Sequence, residues 1–211
     1  MQPFLNIVQT LFGRRPPRLA KAAGERLYAQ CVERSRLPVF YLDYGVADEI
    51  GARFELLTFH IGMVVHALRA VQAEEAGFAQ AQETAQALFD SFLLALDTTL
   101  REQGTGDLAV PKKMKTLGQI IYTRMKRWDE LWLEGEAAQV DYALRTIYAG
   151  SAYAGPGNED EAEALASAAK NSGGQALSFA AYARAVRVAL RAEDIMNGRL
   201  SWPEPVALEA A

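Results

Sequence analysis

From residue 48 to residue 135 one pattern recurs: apolar side chains return at steps of three and four, with polar and charged residues between them. Ile50, Phe54, Leu57, Ile61, Val64, Leu68 and Val71 form the first run, with Asp48 ahead of it as an N-cap, and predict a helix from Asp48 to about Glu75. Phe89, Phe92, Leu93, Leu96 and Leu100 form a second stripe and predict a helix over residues 78–103, joined to the first by a turn at Ala76-Gly77. These two are expected to form a central antiparallel pair. Pro111 is placed to open a third helix, which continues through Leu117, Ile120, Ile121, Met125, Trp128, Leu131 and Trp132 to Gly135. A fourth covers about 137–149. A last helix, 175–196, carries Phe179, Tyr182, Val186 and Leu190 and stops at Gly198.

Upstream, residues 18–34 predict a helix with Leu19, Leu27, Cys31 and Val32. Pro38 imposes an extended conformation on its predecessor. The following PVFYLDYGV reads as an ordered loop, because no second strand candidate exists to pair with it. The expectation is an all-α fold: a single helical domain of about six helices over residues 18–199. An N-terminal amphipathic and basic segment (1–17) precedes it, and a tail (200–211) follows.

Composition narrows the function. The chain has 211 residues, 50% hydrophobic and 23% charged, with a formal net charge of −4. That balance fits one globular domain and argues against a molecule built throughout to bind nucleic acid. The single cysteine, Cys31, excludes an intramolecular disulfide and reads as a small apolar helix residue. No apolar run reaches the roughly 18 residues of a transmembrane helix. Residues 1–24 lack Asp and Glu but carry Arg14, Arg15, Arg18 and Lys21. Phe4, Leu5, Val8, Leu11 and Phe12 give the segment an apolar side, suited to packing on the domain or to a membrane surface. The basic residues follow the apolar part instead of alternating with it, and Pro16-Pro17 stand where an export signal needs a hydrophobic region. Neither a mitochondrial presequence nor a twin-arginine signal is expected.

No catalytic constellation emerges. His60 and His66 lie roughly 120° apart around a helix and do not share a metal, and no Glu-x-x-His pair suggests a di-iron bundle. Asp90 and Asp97, two turns and about 10 Å apart, stand without a nucleophile. The expected arrangement pairs Asp97 with Arg101 and bonds Asp90 to a neighbouring helix. Gly104-x-Gly106 completes neither the phosphate-loop nor the dinucleotide pattern, so it reads as a turn between helices. Pro111–Arg127 is more distinctive: Lys112, Lys113, Lys115, Arg124, Lys126 and Arg127 occur without one acidic residue. Cations in the first turn of a helix face its positive end, at about 0.3–1 kcal/mol each, so an acidic partner is expected. RNA phosphate, anionic lipid, an acidic peptide or the chain's own acidic run at 159–163 all suit such a patch. Arg184, Arg187 and Arg191 line a similar face of the last helix.

Two long segments carry a resemblance. PVFYLDYGVADEIGARFELLTFH, followed by QALFDSFLLALDTTLREQGTGDLAVPKKMKTLGQIIYTR, closely resembles the ubiquinol–cytochrome c chaperone family of cytochrome bc1 assembly factors, in order and over about residues 28–148. The close, NGRLSWPEP, resembles that of bacterial members. Pro38, Phe40, Tyr41, Gly45, Val46, Asp48, Gly51, Arg53, Phe54 and His60 fall on the first motif. Phe89, Asp90, Asp97, Leu100, Arg101, Glu102, Gly104, Gly106, Asp107, Lys112 and Met114 fall on the second. Ala47-Asp48-Glu49 departs from the family's usual Pro-Asp-Thr, and Gln103 from a common Met; both changes suit a capped turn and leave partner preference open.

The resemblance implies a non-enzymatic chaperone, without a cofactor, that holds newly made cytochrome b before it joins its complex. It implies possible partners too: a small assembly protein, and the ribosome near its tunnel exit. The composition looks bacterial, which places the protein on the cytoplasmic side of the inner membrane as a peripheral component. Candidate client- or partner-binding residues are Phe40, Tyr41, Arg53, Asp90, Asp97, Arg101, Asp107, Lys112, Lys113 and Lys115. A haem- or quinone-handling carrier for the same complex, or a general RNA-binding helical protein, are the competing readings.

Overall fold

The computed structural model describes residues 18–149 and 172–205. The N-terminal segment 1–17, the acidic run 159–163 and the end of the tail lie outside them. The elements in chain order are α1 (Arg18–Ser35), α2 (Pro38–Leu42), α3 (Ile50–Arg69), α4 (Phe78–Glu102), α5 (Val110–Glu134) and α6 (Glu136–Ala143). A π-helical turn (Leu144–Tyr148) continues α6, and α7 (Gly173–Ala189) and α8 (Ala192–Met196) follow. No strand occurs among the described residues, so the all-α expectation holds.

Helix α3 is the axis. It buries Ala52, Phe54, Glu55, Leu56, Thr58, Phe59, His60, Ile61, Met63, Val64 and Leu68, which spread around almost its whole circumference. A helix buried on nearly all sides belongs at the centre of a bundle, and α3 touches α1, α4, α5, α7, α8 and the π-turn. The predicted stripe was therefore too narrow: Ile50, one of its members, is exposed. The expected pairing of α3 with α4 is present, but α4 packs most extensively on α1. Their crossing is close because Gly24 of α1 sits on Ala87 of α4, small residue on small residue.

Four local expectations are corrected. The PVFYLDYGV loop contains a one-turn helix, α2: Leu37 is extended (φ −59°, ψ 131°), and Pro38 then supplies a ready-made helical φ. Asp48 does not cap α3. Its carboxylate instead accepts from Arg53 Nε at 2.5 Å, a charged donor that outcompetes the helix's neutral N–H groups. Helix α3 ends at Arg69 and not near Glu75, whose carboxylate accepts from the Gln72 N–H at 2.7 Å and closes a separate turn. The last helix breaks at Leu190-Arg191. Leu190 and Ile195 are both buried, yet in an unbroken helix they would point about 140° apart; the break turns both inward.

A polar chain runs through this apolar interior. His60 is fully buried, with Nδ1 2.7 Å from the Leu56 carbonyl and Nε2 3.0 Å from Tyr182 Oη. A carbonyl only accepts, so Nδ1 carries the proton and Nε2 accepts from the Tyr182 hydroxyl. Tyr182 Oη in turn accepts from Arg34 Nε at 3.0 Å, and Arg34 Nη2 donates to the Pro203 carbonyl. Gln30, one turn earlier on α1, grips the same C-terminal segment by donating to the Gly198 carbonyl and accepting from the Leu200 N–H. Trp202 closes over the edge of His60, ring centroids 5.3 Å apart. Thus α1, α3, α7 and the segment after α8 are fastened at one point.

Burial pushes the His60 imidazole down to about 3, opposed by its bond to Leu56 and reinforced by the Arg34 charge. Unfolded, the ring titrates near 6.5. A group whose pKa is depressed on folding contributes stability above its unfolded value and loses it as pH falls toward the folded one. Urea unfolding is thus expected to show stability falling from about pH 6.5 downward. In His60→Phe, stability at pH 7.5 should drop by about 1–3 kcal/mol, since Tyr182 loses its acceptor. Its further decline between pH 6.5 and pH 4 should be smaller than in the parent.

Candidate functional site

The close crossing of α1 and α4 leaves an open groove of about 770 Å³ along the outer side of the pair. Lys21, Glu25 and Tyr28 form one wall; Ala87, Ser91, Leu94, Ala95 and Thr98 form the floor and the other, with Asp90 and Thr99 at its margins. Ala87, Ser91 and Ala95 recur at four-residue steps, so α4 presents a row of small side chains, flanked by a Leu94 that is 67% exposed. The hydroxyls along α4 are spent on its own backbone, Thr98 on the Leu94 carbonyl at 3.0 Å and Thr99 on that of Ala95 at 2.9 Å. Ser91 Oγ is turned back to the Ala87 carbonyl at 2.9 Å, and Lys21 and Glu25 face each other at 3.8 Å. Asp90 accepts from Gln86 of its own helix at 2.6 Å rather than from a neighbouring helix. Partial burial holds its carboxyl above the usual range, against the pull of the Gln86 bond. A small-floored apolar channel with one half-buried carboxylate is suited to holding an apolar segment and has no nucleophile–base pair to transform it.

Most sequence-derived candidates lie elsewhere. Phe40 is fully buried in the core, edge-on to Tyr44, His60 and Tyr182, and so offers no surface to a partner. Tyr41 donates to the Ser35 carbonyl at 2.8 Å, and Arg53 lies 6.0 Å over its ring while pairing with Asp48; these three form one surface cluster. Asp97 pairs with Arg101 at 2.7 Å, and Arg101 also reaches Asp107 at 2.6 Å, tying the end of α4 to the loop beyond. His66 Nδ1 stands 2.6 Å from Asp129. Among the described residues no group of three or more His, Cys, Asp or Glu side chains is arranged to hold a metal ion.

The basic stretch of α5 divides in two. Its second half is neutralised within the domain: Arg124 meets the buried Glu55 carboxylate in a fork at 2.8–3.0 Å, Lys126 pairs with Glu130, and Arg127 with Glu130 and Glu134. The first half is not. Lys113 donates to Thr105 Oγ1 at 3.1 Å, but no carboxylate among the described residues lies within ion-pair distance of Lys112, Lys113 or Lys115. Arg184 and Arg187 are likewise absorbed, by Glu136 at 2.5 Å and by the Trp132 ring.

Sequence reasoning missed the groove. Its signals were Gly24 inside a helix and the small residues at 87, 91 and 95, which a search for apolar stripes passes over.

Comparison with known proteins agrees with this architecture. The family model for ubiquinol-cytochrome C chaperones matches residues 42–202. The crystal structure of the Cbp3 homolog from Brucella abortus is similar in fold, with a TM-score of 0.67 at 24% identity, over 89% of this chain and 92% of that one. No curated protein matches the sequence.

Gly24 sets the width of the groove. Elsewhere in a helix Gly→Ala gains about 1 kcal/mol. Here the new Cβ would stand 2.7 Å from that of Ala87, and closer still to its carbonyl carbon. Overpacking of this kind costs about 1–3 kcal/mol and outweighs the propensity gain. Gly24→Ala is expected to lower the urea midpoint at pH 7.5, where Gly104→Ala, with nothing near its missing Cβ, tests strain alone.

Proposed function

The chain belongs to the ubiquinol-cytochrome C chaperone family, and from that premise we propose that it is an assembly chaperone of the cytochrome bc1 complex that holds newly made cytochrome b until incorporation. The family match over residues 42–202 carries this reading. The groove between α1 and α4 supports it. A row of small side chains beside Leu94 accepts the apolar face of a client segment, as helix-in-groove recognition requires, and Asp90 supplies a polar contact at the margin. Holding needs no chemistry on the client. Tyr41 with Arg53, and Arg101 with Asp97 and Asp107, are fixed surface clusters available to a small assembly partner or to the ribosome near its exit. In this reading contact with the inner membrane is peripheral; among the described residues no helix is long and apolar enough to cross a membrane.

The test is affinity capture from host membranes with tagged parent and Leu94→Asp proteins, probed for cytochrome b. Leu94 is largely exposed, so the substitution leaves folding intact while placing a charge in the groove. The parent should recover cytochrome b, the variant at least about tenfold less, and a deletion strain should be depleted of bc1 complex. Equal capture by both would move the client off the groove. Normal bc1 levels without the protein would end the assembly reading.

A further inference from the structure

At the turn from α4 to α5 the side chains make a surface that the fold itself does not use. Helix α4 closes in a Schellman motif: the Thr105 N–H bonds the Leu100 carbonyl, the Gly104 N–H bonds that of Arg101, and Gly104 takes φ +78°. The loop that follows is pinned by Arg101 to Asp107 and by Lys113 to Thr105. On this fixed loop Leu108 is 99% exposed. It is the most exposed large apolar side chain of the described residues, and it points outward from an ordered turn. Lys112, Lys113 and Lys115 follow it in the first two turns of α5, all exposed and without a carboxylate partner among the described residues. The other described lysines, Lys21 and Lys126, are each matched by an acidic residue one turn away. The carboxylate beside the tip, Asp107, is already taken by Arg101.

We propose that this turn is a docking site for an anionic lipid surface, with Leu108 entering the acyl boundary and Lys112, Lys113 and Lys115 contacting headgroup phosphates. The charge pattern selects the partner. Stretch 101–115 carries four cations against two carboxylates on a molecule whose net charge is −4, so the attraction is local and oriented. RNA phosphate would satisfy the lysines but gives no use for an isolated, fully exposed leucine; a bilayer interface satisfies both. The site lies at the far end of α4 from Phe78 and shares no residue with the groove. It therefore stands independently of the client: cytochrome b capture and lipid binding can each fail without the other.

The experiment is co-sedimentation of the full chain with phosphatidylcholine vesicles, with and without roughly a third phosphatidylglycerol. The parent should partition onto the anionic vesicles only. Lys112→Gln/Lys113→Gln/Lys115→Gln should weaken that partition about a hundredfold, and Leu108→Ser roughly tenfold. Circular dichroism should show the helical fold retained in every variant, since all four side chains are exposed and the triple variant loses only the Lys113–Thr105 bond while relieving cations at a helix N-terminus. Leu108→Trp should show an emission shift to the blue on anionic vesicles, a readout a purely electrostatic contact would not give. Equal partition of parent and triple variant, or unshifted Trp emission, overturns the proposal. So does a structured RNA that displaces the vesicles while binding Leu108→Ser as well as the parent, which would assign the lysines to RNA.

Discussion

The structure depends on keeping three buried polar side chains satisfied at once. His60, Tyr182 and Arg34 come from three different helices, and none has water to fall back on. Each unpaired group in such a setting costs about 1–3 kcal/mol, more for the guanidinium. The directions of the bonds leave no slack. The Leu56 carbonyl fixes the imidazole tautomer, the tautomer makes Nε2 an acceptor, and the Tyr182 hydroxyl must then donate and can accept only from Arg34. Apolar packing alone would allow α1, α3 and α7 to slide past one another by a fraction of a turn; this chain of bonds allows one register. Burial pushes the Tyr182 hydroxyl up to about 12, against the pull of Arg34, so neutral Tyr and neutral His persist together throughout the physiological range.

A second buried contact, the fork between Glu55 and Arg124, joins the opposite side of α3 to α5. Removing either partner alone would strand a buried charge, which is far more costly than replacing both. The consequence for the surface is a sorting of α5 along its length. Arg124, Lys126 and Arg127 serve the domain, whereas Lys112, Lys113 and Lys115 are left to whatever lies outside it. With the groove on α1 and α4, the molecule offers two unlike faces, one apolar and one basic, fixed relative to each other by α4.

The fold was largely legible because α3, α4 and α5 announce themselves by period and by their flanking Gly and Pro residues. The failures have physical causes. Helix α3 is buried nearly all round, so a one-stripe reading put the exposed Ile50 in the core and left out His60, which is central. The break at Leu190 carries no Gly or Pro; it exists because two apolar residues need the same core, a requirement visible only once the core is there. Helix α2 was hidden because the aromatics around Pro38 suit loop, strand or helix equally until Phe40 finds His60 and Tyr182. Among candidate residues, the Asp97–Arg101 pair followed from helix spacing, but the exposure of Lys112 and the burial of Phe40 did not, since periodicity cannot distinguish an inward from an outward aromatic in so short an element. The groove was invisible for a related reason: small residues signal closeness, not contact.

The bond from Arg34 to the Pro203 carbonyl spans 169 positions of the chain. At a synthesis rate of about 5–20 residues per second, α1 has been made on the order of ten to thirty seconds before the residue that completes its polar interior. Through that interval Arg34 keeps its water, and the register of α1, α3 and α7 is unsealed. The segment that seals the first helix is thus made after every other helix of the described residues.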